Sequence, residues 1–161
     1  MIKETSIFGF ILGLLFIFAP SISKAAVTPA TLPFSFSGKI TDLDPSLGFT
    51  SYGLEENYAA GPCYLKFDDQ GDWLMLTLED DPGYVSCMVH AYNCGGGNKF
   101  DIQYSTDGIN FVTFHTSSNL YTTIDTVSVD LSLISGIRYI RWTYTTKNTG
   151  NYGLGAIKIS K

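Results

Sequence analysis

The sequence predicts an all-β protein, an antiparallel β-sandwich of jelly-roll type. Three observations carry that expectation. Short runs of strand formers with two-residue alternation recur at roughly ten-residue spacing. Clusters of Gly, Pro, Asn and Asp separate them, and beyond the amino terminus no stretch has convincing helical periodicity.

The first residues stand outside this pattern. Lys3 precedes an almost unbroken apolar run over 7–18, followed by small and helix-breaking residues with Ser23 and Ala25 suited to a cleavage site. That arrangement reads as a helical signal peptide over 1–25. The run falls short of the roughly 20 residues a membrane span needs, so no stable membrane insertion is expected after cleavage. No Cys stands just after the run where lipid attachment would need one, the first being Cys63, which disfavours a lipoprotein, and the expected location is secreted or periplasmic.

Residues 26–33 form a Pro-containing lead-in, and 34–161 is expected to be the single sandwich domain. The first strand is read at 34–40. Residues 41–62, punctuated by Pro45, Gly48, Gly53, Gly61 and Pro62, read as one long, partly ordered loop. A short strand follows at 64–67, and 73–78, apolar on both faces, reads as a central strand covered on both sides, with Trp73 in the core. In 84–91, Val85, Cys87 and Val89 point inward. Phe100, Ile102 and Tyr104 alternate with polar residues, Asp107-Gly108 interrupts, and Phe111 to Phe114 resumes: a β-hairpin. Two further strands are expected at 126–131 and 137–145, the second with Ile140, Trp142 and Tyr144 on one face and Tyr139, Arg141 and Thr143 on the other. A turn at Asn148 to Asn151 leads to a closing strand at 153–161.

Charge narrows the function classes. The net charge is −5, and loss of Lys3, Lys24 and Glu4 would leave it more acidic still. Nucleic acid is excluded as a partner, because phosphate recognition needs clustered Lys and Arg and there is no such cluster. His90 and His115 are isolated, with no nucleophile motif near either in sequence, which argues against a hydrolytic triad. Seven carboxylates, Asp42, Asp44, Glu55, Glu56, Asp68, Asp69 and Asp72, leave a small glycosidase as a weaker alternative, since Asp in turns is favoured for its own backbone hydrogen bonds. The same chemistry suits a structural calcium ion, with Asp42, Asp44 and Glu55 as the expected ligands; no other cofactor is expected. Of the three Cys, Cys63 and Cys94 are the pair expected if a disulfide forms, the alternative being three reduced thiols.

Three stretches together, F-D-I-Q-Y-S-T-D-G-I-N-F-V-T-F, I-R-Y-I-R-W-T-Y and Y-G-L-G-A-I-K-I-S, resemble the second half of galactose-binding-like jelly rolls, which include discoidin-type domains and many carbohydrate-binding modules. The L-P-F-S-F start, the G-D-W strand and the G-N-Y-G-L-G-A-I end are similar to small secreted β-sandwich modules of Bacteroidetes-type bacteria. The resemblance covers most of 32–161. It implies the fold and a non-catalytic binding role, and it brings no catalytic residue.

Binding residues are therefore sought on loops. Tyr offers a flat apolar surface with a polar handle, which suits the C–H faces of sugar rings. Tyr52, Tyr58, Tyr92 and Tyr152 fall in expected loops, with Asn93, Asn98 and Asn151 as hydrogen-bonding neighbours. The expected role is recognition of a glycan or surface polysaccharide. The alternative is a structural or adhesion module contacting another surface protein.

Overall fold

A computed structural model of the chain describes residues 25–54, 56–58, 61–118 and 121–161; the expected signal peptide lies outside them but for Ala25. Ten strands form two antiparallel sheets packed face to face. In chain order they are β1 (Phe34–Phe36), β2 (Phe49–Tyr52), β3 (Leu65–Phe67), β4 (Trp73–Thr77), β5 (Tyr84–Cys94), β6 (Lys99–Ser105), β7 (Val112–Ser117), β8 (Tyr121–Asp130), β9 (Tyr139–Thr146) and β10 (Asn151–Ser160). One sheet runs β1-β10-β5-β8, with β3 also paired to β10; the other runs β2-β4-β9-β6-β7. Among the described residues no helix is long and apolar enough to cross a membrane.

The alternation of the sequence becomes the core directly. Val85, Cys87, Val89 and Ala91 of β5 and Leu154, Ile157 and Ile159 of β10 face Leu74, Leu76, Phe100, Ile102, Ile140, Trp142 and Tyr144 of the opposing sheet, all buried. Leu154 and Ile157 are three residues apart, which a regular strand cannot place on one face. A register shift between Gly155 and Lys158, with Ala156 at φ +48°, inserts the extra residue as a bulge and restores the inward phase.

Several expectations change. The sandwich takes in the lead-in: Ala30 bonds the carbonyl of Thr77 and the amide of Glu79 at 2.8 and 3.0 Å, and Ala30 and Leu32 are buried. The 41–62 segment is not one loop. It holds 3-10 turns at Ile40–Asp42 and Pro45–Leu47 and then β2, paired along β4. Strand β4 is central, but only Leu74 and Leu76 are buried; Trp73, Met75 and Thr77 lie on the outer face, so the expectation of a strand covered on both sides is corrected. In the hairpin, β6 ends at Ser105 and β7 begins at Val112, so the connection is wider than the Asp-Gly pair alone. Gly108 supplies the positive φ, at +74°, and the Asp107 carboxylate accepts the amides of Ile109 and Asn110 at 2.9 and 2.8 Å.

Candidate functional site

The outer face of the β2-β4-β9-β6-β7 sheet is built from cross-strand rows. Residues directly opposite one another on paired strands point to the same face. The register therefore aligns Tyr52, Trp73, Thr143, Asp101 and Thr116 across five strands, and beside them Thr50, Met75, Arg141, Gln103 and Thr113. Tyr52 and Trp73 form an open aromatic pair, with ring centroids 6.4 Å apart and planes within 20°. Tyr52 is 67% exposed.

Fixed polar groups continue the surface beyond the rings. The Asp101 carboxylate accepts hydrogen bonds from Thr116 at 2.6 Å and Thr145 at 3.0 Å. Arg141 donates Nε and Nη2 to the Gln103 side-chain oxygen at 2.8 and 2.7 Å, and Gln103 in turn donates to Thr113 at 3.0 Å. The Phe111 ring lies 3.6 Å from the guanidinium carbon, a cation–π contact that holds the arginine against the sheet. Burial draws the Arg141 guanidinium below its ordinary value, and it stays charged at neutral pH.

A cleft of about 820 Å³ opens beside Tyr52, lined also by Asp68, Asp69, Gln70 and Lys147. Its floor explains why the aromatic pair sits where it does. Asp72, only 3% exposed, accepts the amides of Asp68 and Asp69 at 2.9 and 2.8 Å and so closes the turn that delivers Trp73 to β4. Burial pushes this carboxyl above the usual range, opposed by those two amide bonds. On the other side Gly53, at φ +78°, passes so close that a Cβ would meet the Asp72 carboxylate at 1.9 Å. Lys147 donates to the Asp68 carbonyl and approaches the Asp69 carboxylate at 3.5 Å. One buried aspartate thus fixes both strand ends that carry the rings.

Of the residues expected from the sequence, Tyr52 alone stands on this face. Tyr58 and Tyr92 stack on each other at 3.7 Å, and His90 packs on Tyr92 at 3.6 Å. They occupy the outer side of the other sheet. Tyr152 is corrected: β10 begins at Asn151, two residues before the expected start, so Tyr152 alternates inward and is 0% exposed between Phe100 and Tyr144. Asn98 is 1% exposed. It accepts from Tyr144 Oη and the Asn148 amide at 3.1 and 2.6 Å and donates to the Gly95 and Thr149 carbonyls, tying two turns together. Asn93 is exposed at φ +52° in the irregular end of β5, and half-buried Asn151 opens β10 opposite Tyr92.

The expected metal ligands serve the backbone. Asp42 accepts the Lys39 amide and Asp44 the Ser46 amide, each at 2.7 Å, and Glu55 lies outside the described residues. Among the described residues no three His, Cys, Asp or Glu side chains gather as a metal site. The expected disulfide is not formed. Cys63, Cys87 and Cys94 are free and buried, with Cys63 Sγ donating to the Met88 carbonyl at 3.5 Å and Cys94 Sγ to that of Asn151 at 3.3 Å.

Trp73, Arg141, Gln103 and Asp101 were missed. The signal was present in β9, whose outward Arg141 and Thr143 mark a solvent-facing sheet, but only the β4-β9 pairing carries that inference to Trp73.

No protein-family model matches the sequence, and no curated protein matches it. Solved structures do match. The K2 cleaved adhesin domain of Lys-gingipain superposes with a TM-score of 0.63 at 11% identity, covering 81% of this chain and 98% of that one. The K1 domain of the same protein, from Porphyromonas gingivalis W83, gives 0.56 at 14% identity over 80% and 96%. A variant of a family 29 carbohydrate binding module gives 0.56 at 13% identity over 79% and 90%. The chain shares the antiparallel β-sandwich fold of these domains. At these identities the likeness concerns the fold, and a fold hosts many functions.

Proposed function

We propose that this protein is a non-catalytic glycan-binding module whose ligand lies across the outer face of the β2-β4-β9-β6-β7 sheet, on Tyr52 and Trp73. The observation that carries the reading is the open Tyr52–Trp73 pair in one row with Thr143 and Asp101. Aromatic faces meet the C–H faces of pyranose rings, and the partly exposed Asp101 carboxylate and Arg141 guanidinium beside them meet sugar hydroxyls, above a floor of buried Gln103 and Thr143. Because Arg141 and Gln103 are already held by neighbours, little side-chain ordering opposes binding. Two fold neighbours are adhesin domains and one is a carbohydrate binding module, a role in keeping with this reading. Asp72, the buried carboxylate of the cleft, is engaged by two backbone amides, which favours a structural part for it over acid-base chemistry. A signal peptide over 1–25 would deliver the module to where surface polysaccharides are met.

The test is affinity electrophoresis and calorimetry against soluble polysaccharides, neutral and acidic, with Trp73→Ala and Tyr52→Ala beside the wild type. Binding that both variants weaken supports the reading. Absence of binding to every polysaccharide, or binding that neither variant changes, overturns it.

A further inference from the structure

The cations of the chain are unequally matched by carboxylates. Lys66 lies 2.6 Å from Glu56, Arg138 2.8 Å from Asp81, Lys147 3.5 Å from Asp69 and Lys161 2.6 Å from Asp80. Among the described residues Lys39, Lys99, Lys158 and Arg141 have no such partner. Those three lysines are exposed, whereas Arg141 is partly buried. It is therefore, among the described residues, the one sheltered cation without a countercharge.

A sheltered charge is costly unless something compensates it. Burial weakens the charged form of Arg141, and among the described residues no acidic neighbour opposes that effect. The Phe111 ring offsets part of the cost from one face, while the Gln103 oxygen, a neutral acceptor, takes Nε and Nη2. A guanidinium carries five N–H groups. Those two bonds leave its Nη1–Nη2 end unused among the described residues, and that end is a fork able to grip a carboxylate through two parallel bonds.

We infer that Arg141 determines the specificity of the glycan face and that the glycan it selects is acidic, a uronate carboxylate meeting the unused end of its fork. This rests on the glycan-binding reading above and names the ligand class. Arg141 stands opposite Met75, two residues along β4 from Trp73. Its backbone is thus about 7 Å along and about 5 Å across from that of the stacking tryptophan, a gap that an exocyclic carboxylate and a long arginine side chain bridge together. Gln103 and Phe111 hold the guanidinium in place beforehand, so little ordering opposes the contact. Two other charges limit what fits. The Asp101 carboxylate shares the face but is engaged by Thr116 and Thr145, and the net charge of −5 opposes the approach of a densely charged polymer. The ligand is therefore a largely neutral polysaccharide with scattered uronate units.

Calorimetry with glucuronoxylan, gellan and partly esterified pectin tests the inference, each polymer beside its carboxyl-reduced form, in which the acid has become a neutral alcohol. Galactomannan and xyloglucan serve as neutral polymers. The wild type should bind at least one native acidic polymer, and carboxyl reduction of that polymer should weaken binding about tenfold, the size of one hydrogen bond to a charged group. That comparison uses the unaltered protein and so does not depend on the folding of a variant. Arg141→Gln should lose the same factor on the native polymer and nothing further on the reduced one. Arg141→Lys, which keeps the charge without the fork, should fall between. Equal binding of native and reduced forms, binding of the neutral polymers alone, or an Arg141→Gln effect that is absent or the same on both forms overturns the inference and leaves the glycan reading standing. Binding to none of the polymers overturns both.

Discussion

The two sheets of this sandwich treat their outer aromatics in opposite ways. On the β2-β4-β9-β6-β7 sheet Tyr52 and Trp73 lie open beside a cleft. On the other, the chain crosses its own sheet: the segment around Pro62 and Cys63 passes so close over β10 that a Cβ on Gly155 would meet the Pro62 carbonyl at 1.9 Å, and one on Gly153 the Cys63 carbonyl at 3.0 Å. There Tyr58, Tyr92 and His90 are brought against one another and satisfy their own apolar faces. Aromatic content therefore says little about binding by itself. What decides is whether the chain covers the rings or leaves them to an outside partner.

The contrast breaks most sharply at the glycine. Gly155→Ala should destabilise the fold by about 3 kcal/mol, the upper range for forcing atoms into a packed site, read by urea or thermal unfolding. Unchanged stability would mean that the crossing segment is not seated on β10. On the open face, Trp73→Ala should cut polysaccharide affinity at least tenfold, or about 1.4 kcal/mol, by calorimetry, with little change in unfolding midpoint. Tyr92→Ala should do the reverse, costing about 1 kcal/mol of stability through the lost ring contacts and leaving affinity untouched. If Tyr92→Ala abolished binding instead, the assignment of the two faces would have to be exchanged.

The smallest effect expected is a pH dependence at the rim of the open face. Amide and hydroxyl donors from Ile109, Asn110 and Ser105 hold the Asp107 carboxyl well below its usual range. A carboxyl depressed in the folded state adds stability above the unfolded carboxylate value, about 3.9, and loses it as pH falls through the lower folded value. Asp107→Ala should thus be less stable than wild type at neutral pH, with the gap closing in acid below about pH 4. Because this turn leads to Phe111, which covers Arg141, the variant should also bind glycan slightly more weakly. A stability gap that stays constant down to pH 2 would show that the carboxylate charge plays no part in the turn.

Much of the fold was legible from residue order. Val85, Cys87 and Val89, Phe100 and Ile102 of the hairpin and the Ile140, Trp142, Tyr144 stripe face the core as their alternation requires. Strand β2 was not legible, because Phe49 to Tyr52 sits among glycines and prolines and owes its extended form to pairing along β4. The candidate site was legible only at Tyr52. Tyr152 was misplaced because the strand begins two residues before its expected start, and once inside the strand it shares the inward phase of Leu154.

The sequence by itself determined where most strands other than β2 lie, where most turns fall and which face of most strands is apolar, since these follow from local sterics and a period of two. It did not determine which strand lies beside which, nor where the chain recrosses a sheet. Those depend on contacts between residues far apart in sequence, the pairing of Trp73 with Thr143 and the passage of Pro62 over Gly155. Tertiary structure alone therefore decided that Trp73 looks outward beside Tyr52 while Tyr58 and Tyr92 close upon themselves. The physical reason is that an aromatic ring buries its face against whatever the fold brings within reach, and pairing register, not local pattern, sets what that is.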